Sequence, residues 1–448
     1  MLDVYDGDPT KTVRWWSGPS EPPRVCVWEI TLKCDLGCRH CGSRAGAERP
    51  GELTLEEALD TVKQLAALGV REVTLIGGEA YLRDDWVDIA SAITKAGMAC
   101  TMVTGGYRLD DFRIQEALAA GIRRIGVSID GIGATHDHLR GRIGSYEAAL
   151  DAARRIMATG RIGLSVNTQI NRLSLPELPA LADLLVEIGA SAWQVQLTVA
   201  LGRAADRPDL LLQPYDMLNV MPMLARLKRT ILEPGGVQLF PGNNIGYFGP
   251  HEPYLRYGGA DGHTWSGCLA GQAALGLEAD GTLKGCPSLP SADYGAGSVR
   301  TSTIEDMWRS SERIRGLGAR TRSDLWGFCA TCEHADRCKA GCTWTAHALF
   351  GRPGNNPFCH HRALTLAGQG LRERIRLVER APGVPFDYGR FEIIEEPLDG
   401  EEGDQGGLEE LAALATLLGA AGSGVWSNAG LRAATAKTAQ PRHREAAP

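Results

Sequence analysis

The sequence predicts an α/β fold: six βα units forming a partial parallel barrel, (β/α)6, followed by a small cysteine-rich domain with a β-hairpin. Three observations predict it. From Arg24 to Leu232, short strand-like runs alternate with helix-length amphipathic segments, and glycines stand where helices stop, at Gly69, Gly97, Gly121, Gly160 and Gly189. Repeated βα units imply a parallel sheet with right-handed crossovers. Asp280-Gly281 between two apolar runs is the strongest short hairpin signal. The 12 cysteines are also not scattered: all but Cys26 and Cys100 fall into two spaced groups.

Residues 1–23, with Trp15 and Trp16 in a Pro/Gly/Ser-rich setting, read as an N-terminal arm. The barrel is expected over 24–235. Arg24–Thr31 is strand-like, and Thr54–Leu68 is amphipathic, opened by Thr54 and Glu57 as a capping box. Strands are then expected at Glu72–Ile76, Ala99–Val103, Arg124–Ile129, Ile162–Gln169 and Ala192–Val199. Helices are expected at Asp84–Ala96, Asp110–Ala120, Ser145–Thr159, Leu175–Ile188 and Pro214–Leu232. Residues 236–267, Gly/Pro-rich with Tyr247, Phe248, Tyr254, Tyr257 and Trp265, read as a bridging region that touches substrate. The cysteine-rich domain follows over 268–362, and an arginine-rich helical segment over 363–397. An acidic, Gly-rich linker then opens a tail, 398–448, that reads as mostly disordered around a short apolar helix, Leu408–Leu418.

Composition excludes several classes. Hydrophobic content of 44% and charged content of 23% are ordinary for a globular chain, and 448 residues suffice for two or three domains. A net charge of −7 argues against nucleic acid as a partner. The sequence has neither an apolar run long enough to span a membrane nor a signal peptide, so a cytoplasmic location is expected. So many cysteines in that setting argue for metal ligation rather than disulfides. Cys26 and Cys100 fall in expected strands and read as small buried apolar residues.

The first group is Cys34-Asp35-Leu36-Gly37-Cys38-Arg39-His40-Cys41, three thiols spaced C-x3-C-x2-C after the first strand. Such a loop can wrap three sulfurs around one face of a 4Fe–4S cube and leave one iron open. A zinc knuckle would want four ligands in paired spacing; no fourth cysteine lies near, and His40 is too close to Cys41 to complete a tetrahedron. Polar motifs stand at later strand ends, where ligands bind in such sheets. These are Gly77-Gly78-Glu79, Thr104-Gly105-Gly106, Ser128-Ile129-Asp130-Gly131 and Asn167-Thr168. Glycines at 77 and 78 let backbone approach a ligand closely. Arg140 and Arg142 can hold a carboxylate in a bidentate fork, or be surface arginines preceding a helix. The second group is Cys268-x12-Gly281-x4-Cys286, Cys329-x2-Cys332-x5-Cys338-x3-Cys342 and Cys359. The Cys329–Cys342 portion alone would also suit a zinc ribbon.

The first triad with His40 before its third cysteine resembles the radical S-adenosylmethionine (SAM) superfamily, and the second group is similar to its SPASM subfamily at every spacing. The likeness covers roughly residues 24–362. It implies that Cys34, Cys38 and Cys41 hold a 4Fe–4S cluster whose open iron takes SAM. It implies cofactor contacts from His40, Gly77, Gly78, Glu79, Thr104, Ser128, Asp130, Arg140 and Asn167. Ala80 replaces the proline usual after the GGE motif, and Thr104-Gly105 lacks the usual asparagine, so only a loop role is carried over there. The likeness further implies two auxiliary 4Fe–4S clusters, one closed by Cys329, Cys332, Cys338 and Cys359. The other is held by Cys268, Cys286 and Cys342, with one iron open or bound by a group other than cysteine.

SAM cleaved by one electron would yield a 5′-deoxyadenosyl radical that takes a hydrogen atom from substrate, with the auxiliary clusters accepting the electron left behind. SPASM relatives act mostly on ribosomally made peptides, so the expected function is a peptide maturase forming a thioether, C–C or ether crosslink. Its partners would be a precursor peptide and a flavodoxin- or ferredoxin-type reductant. Twenty-three residues cannot fold a winged-helix leader-binding domain, so a separate protein is expected to bind any leader. A sulfatase-maturing type of protein oxidase is disfavoured by Pro287-Ser288, where an aspartate base is expected. A SPASM dehydrogenase of a small molecule remains, as does an iron–sulfur electron carrier, which would have no use for the strand-end motifs.

Overall fold

In the barrel strands every second side chain is covered, and all of these but Thr104 and Thr168 are apolar or glycine. Cys26 and Trp28, Val73 and Leu75, Cys100 and Met102, Ile125 and Val127, Leu164 and Val166, and Trp193 and Val195 are all buried. These belong to β1 (Val25–Glu29), β2 (Glu72–Ile76), β3 (Ala99–Thr104), β4 (Arg124–Ser128), β5 (Gly163–Ile170) and β6 (Ala192–Leu197). The computed structural model describes residues 22–257, 265 and 267–398. The arm expected over 1–23 falls outside them but for its last two residues, and the tail expected over 398–448 but for its first.

The intervening side chains behave differently. Glu72, Thr74, Thr101, Ser128, Ser165, Asn167, Gln169 and Gln196 are only part-covered, and Gln194 is exposed. Fully enclosed parallel strands read as continuous apolar runs. The alternation here, with period two, instead gives one face packed under helices and one half-open lumen face, where Val25, Val27, Ile76 and Val103 stand among the polar side chains. The helices are α1 (Leu55–Leu68), α2 (Trp86–Lys95), α3 (Asp111–Ala119), α4 (Ala134–Arg140), α5 (Ser145–Ala158), α6 (Leu178–Glu187) and α7 (Met217–Leu227). The capping box before α1 forms as expected, and Gly69 closes that helix at φ +91°.

The sheet extends beyond the six expected strands at both edges. Gln238–Pro241, inside the region expected only to bridge, is a seventh parallel strand, β7, paired with β6. At four residues ending in proline it carries little pattern, and Pro241 is tolerated because β7 is an edge. At the other edge β8 (Ala274–Leu277) pairs parallel with β1 and antiparallel with β9 (Leu283–Lys284). The sheet therefore has nine strands in the order β7-β6-β5-β4-β3-β2-β1-β8-β9. The expected hairpin forms, with Gly281 at φ +86°, but it is continuous with the barrel. A buried charge cluster ties this seam: Arg49 to Glu29 at 2.8 Å, Arg49 to Glu278 at 3.4 Å and Lys284 to Glu278 at 2.6 Å.

The helical segment expected over 363–397 is corrected. A helix spans His360–Gly368, Gly370 turns at φ +75°, and β10 (Leu371–Glu379) and β11 (Arg390–Pro397) form an antiparallel hairpin. The arginines repeat every two residues, which is strand spacing. Arg372 meets Glu396 at 2.8 Å and Arg376 meets Glu392, while Ile375 faces Ile393 and Leu377 faces Phe391. No helix among the described residues is long and apolar enough to cross a membrane.

Candidate active site

The loop after β1 is held from several sides. Cys34 N donates to Gly46 O and Gly46 N to Leu32 O, each at 2.9 Å. Arg203, in the turn after β6, donates from Nε to Cys38 O at 2.7 Å and from Nη2 to Ala45 O at 3.0 Å. A Cβ on Gly202 would lie 2.4 Å from Cys41 O, so only glycine fits there. The β10–β11 connection adds a further clamp. Arg44 pairs with Asp387 at 2.7 Å, and Phe386 N donates to Gly42 O at 3.2 Å. Neither Arg203 nor Asp387 was singled out from the sequence; the only available signal was a Gly-Arg pair just after the sixth strand.

Gly77 and Gly78 serve this loop first. Their added Cβ atoms would lie 2.1 Å from Thr31 O and from Lys33 O, and the second also 2.7 Å from Cys34 Cβ. Gly78 N donates to Thr31 O and Glu79 N to Lys33 O, both at 2.8 Å. The close approach foreseen for a ligand is thus made to the cysteine loop itself. Gly78→Ala is expected to cost about 1–3 kcal/mol through overpacking and to lower iron retention at the first triad. Denaturant unfolding and iron analysis check both.

Glu79 is buried and receives the Thr104 hydroxyl and, at 2.6 Å, Gly105 N. One carboxylate oxygen lies within 4.8 Å of the Cys34 sulfur and a carboxylate oxygen of Asp35. Burial pushes Glu79 up to about 7, against the Thr104 and Gly105 bonds, so the site favours a cation beside it. Asp130 is fully buried between His40 Nε2 at 3.0 Å and Arg140 Nη2 at 2.7 Å, and receives Gln169 N at 2.8 Å. Burial raises its carboxyl, but Arg140 and then His40 outweigh that and hold it well below the usual range.

Arg140 also reaches the Cys38 sulfur at 3.8 Å. The carboxylate it grips is therefore internal, and it is neither a surface arginine nor an open fork. Arg142 is exposed and donates to Asp35 O at 2.9 Å. Ser128 and Asn167 are register partners on adjacent strands and face the half-open lumen.

The thiols gather in three sets. Cys38 and Cys41 act on Cys34, Cys268 and Cys286 act on Cys342, and Cys329, Cys332, Cys338 and Cys359 line one pocket with Phe248. Burial raises Cys38 and Cys286 to about 11 and Cys342 and Cys359 to about 12, with neighbouring thiols adding to it. Such crowding is relieved by a bound cationic group.

Backbone N–H groups also point at sulfur: Leu36 at Cys34, Ser288 at Cys286, Asn356 at Cys329, His334 at Cys332, Gly341 at Cys338, Thr345 at Cys342 and Arg362 at Cys359. Such bonds favour thiolates and tune iron–sulfur clusters. Cys26 is raised by burial alone and Cys100 by burial and Glu72, with no neighbouring thiol acting on either. The residues present therefore fit iron–sulfur clusters.

Known proteins agree. The model of the radical SAM superfamily matches residues 28–183, and that of the SPASM iron–sulfur cluster-binding domain matches 268–333. An AdoMet-dependent heme synthase of Methanosarcina barkeri is 30% identical over 351 residues, spanning 76% of this chain and 97% of the relative. A mycofactocin maturase of Mycobacterium tuberculosis is 26% identical over 350 residues, spanning 76% and 83%. The structure of Streptococcus suis SuiB bound to S-adenosylmethionine shares the fold, with a TM-score of 0.58 at 14% identity over 72% of this chain and 74% of SuiB. The fold, the patterned thiols and these relatives agree: the chain belongs to the radical SAM superfamily and is an enzyme of its SPASM branch.

Proposed function

We propose that the enzyme carries three 4Fe–4S clusters, at Cys34/Cys38/Cys41, at Cys329/Cys332/Cys338/Cys359 and at Cys268/Cys286/Cys342, the last with one position not filled by cysteine. When bound, the first supplies the electron that cleaves SAM reductively to methionine and a 5′-deoxyadenosyl radical. The carrying observation is that Glu79, buried and two-fold hydrogen-bonded, stands beside the Cys34 thiol. Its carboxylate suits the ammonium of SAM. Asp130 keeps His40 and Arg140 in place around Cys38, and Ser128 and Asn167 offer polar groups on the lumen wall. A flavodoxin- or ferredoxin-type protein is the proposed reductant.

For the substrate we take a haem-type tetrapyrrole precursor first. The heme synthase relative supports it, aligned over nearly its whole length. A ribosomally made peptide, the class expected from the sequence, is the second reading; the mycofactocin maturase relative and the neighbour SuiB, solved with its precursor peptide, favour it. The reconstituted enzyme with SAM and a chemical reductant is to be offered porphyrins bearing carboxylated side chains, with and without iron, and separately any short peptides that prove to be encoded beside its gene. The expected result is 5′-deoxyadenosine formed in step with a mass change on the porphyrin. A mass change on a peptide alone would install the second reading; deoxyadenosine without change to either would reject both.

A further inference from the structure

We propose that Glu333, His334 and His361 form a mononuclear site for a divalent transition metal, zinc being the simplest occupant, at the wall of the four-cysteine pocket, which both histidines line. Its three ligands are none of the cluster cysteines, although both histidines line the same pocket, and it does not depend on the substrate reading. One carboxylate oxygen of Glu333 and one ring nitrogen from each histidine lie within 4.8 Å of one another. Both histidine Nε2 atoms stand 3.9 Å from the same Glu333 Oε1. That is too long for a hydrogen bond, so neither histidine is simply the carboxylate's partner. The three atoms surround a common centre. A tetrahedron of 2.0–2.1 Å bonds places its corners about 3.3 Å apart, so a small inward shift closes the site.

The rings are held in this arrangement by packing. His334 stacks on Phe248 at 4.2 Å between centroids and 14° between planes. His361 meets His334 edge-on at 4.7 Å and lies across Phe328 at 6.3 Å. Glu333 is 74% exposed and can swing to the ion. Two imidazoles and a carboxylate suit zinc and its first-row neighbours rather than magnesium or calcium. Three protein ligands leave further positions for water or an external donor. His334 follows Cys332 by two residues and His361 follows Cys359 by two. An ion here would therefore staple the segment carrying Cys332 to the helix that follows Cys359.

The test uses the holoenzyme with its clusters loaded, washed with a mild chelator, then titrated with Zn2+ alone. The expected result is one additional Zn2+ per chain. Its affinity should fall in Glu333→Gln, His334→Ala and His361→Ala by at least the roughly 10–100-fold that loss of a mere outer-shell partner costs, with iron per chain unchanged in Glu333→Gln. Zinc-edge X-ray absorption should show only nitrogen and oxygen near 2.0–2.1 Å. Equal zinc in the wild type and Glu333→Gln would overturn the proposal, as would a sulfur shell near 2.3 Å, meaning zinc had taken cysteine. Because Glu333 is exposed, that variant keeps the test decisive even where a histidine variant fails to fold.

Discussion

Replacing Cys34, Cys38 and Cys41 together by alanine is expected to remove about a third of the iron, one cluster of three, and to abolish 5′-deoxyadenosine formation. The thiols share a single loop, so the change removes one donor set and leaves the seven cysteines of the second group untouched. The loop backbone is independently held by Gly46, Arg203 and the Phe386–Asp387 clamp, so the fold should survive. The electron paramagnetic resonance signals of the auxiliary clusters should persist, which separates loss of chemistry from loss of structure. Deoxyadenosine surviving the triple change would refute the assignment of the first triad. Unchanged iron would do so equally.

Asp130→Asn is expected to be among the most destabilising single changes in the barrel. The wild-type carboxylate is fully buried and meets two cation-capable groups, Arg140 at 2.7 Å and His40 at 3.0 Å. Removing it leaves the buried guanidinium without its counter-charge, a loss of roughly 3–5 kcal/mol. Chemical denaturation measures it. The pH dependence has a definite sign. The folded carboxyl titrates below its unfolded value near 3.9, so its contribution is present above that value and lost as pH falls through the folded one. The difference between wild type and variant should therefore be flat from pH 5 to 8 as far as this carboxyl is concerned. Adding Arg140→Met should restore part of the loss, because an apolar replacement removes the stranded charge. No recovery in the double variant would mean that Asp130 acts through His40 or the Gln169 backbone instead.

Much of the barrel was legible because its signals are local. The helices from α1 to α7 lie within the expected segments save α4, and the strands from β1 to β6 lie close to theirs. Capping residues, terminal glycines and the period-two alternation each act within a few positions. The arginine-rich stretch was misread because composition was weighed above period: Arg372, Arg374 and Arg376 stand two apart and find glutamates on the returning strand. A partner that lies some twenty residues away leaves no mark on the stretch itself. β7 was missed for a related reason, since an edge strand of four residues is defined by its neighbour β6 more than by its own side chains.

The candidate site divides in the same way. The sequence alone marked two groups of thiols by their spacing, and Glu79, Ser128, Asp130 and Asn167 by their place at strand ends; that Cys342 stands with Cys268 and Cys286 rather than with its chain neighbour Cys338 is not set by spacing. Only the tertiary structure decided what those residues do for one another. Arg140 became the inner partner of Asp130 and Cys38, and Gly77 and Gly78 became the bed on which the cysteine loop lies. Arg203 and Asp387 arrived as its clamps from distant parts of the chain. Close approach and charge pairing depend on distances between segments far apart in the chain, and these exist only once the sheet has brought its strand ends together.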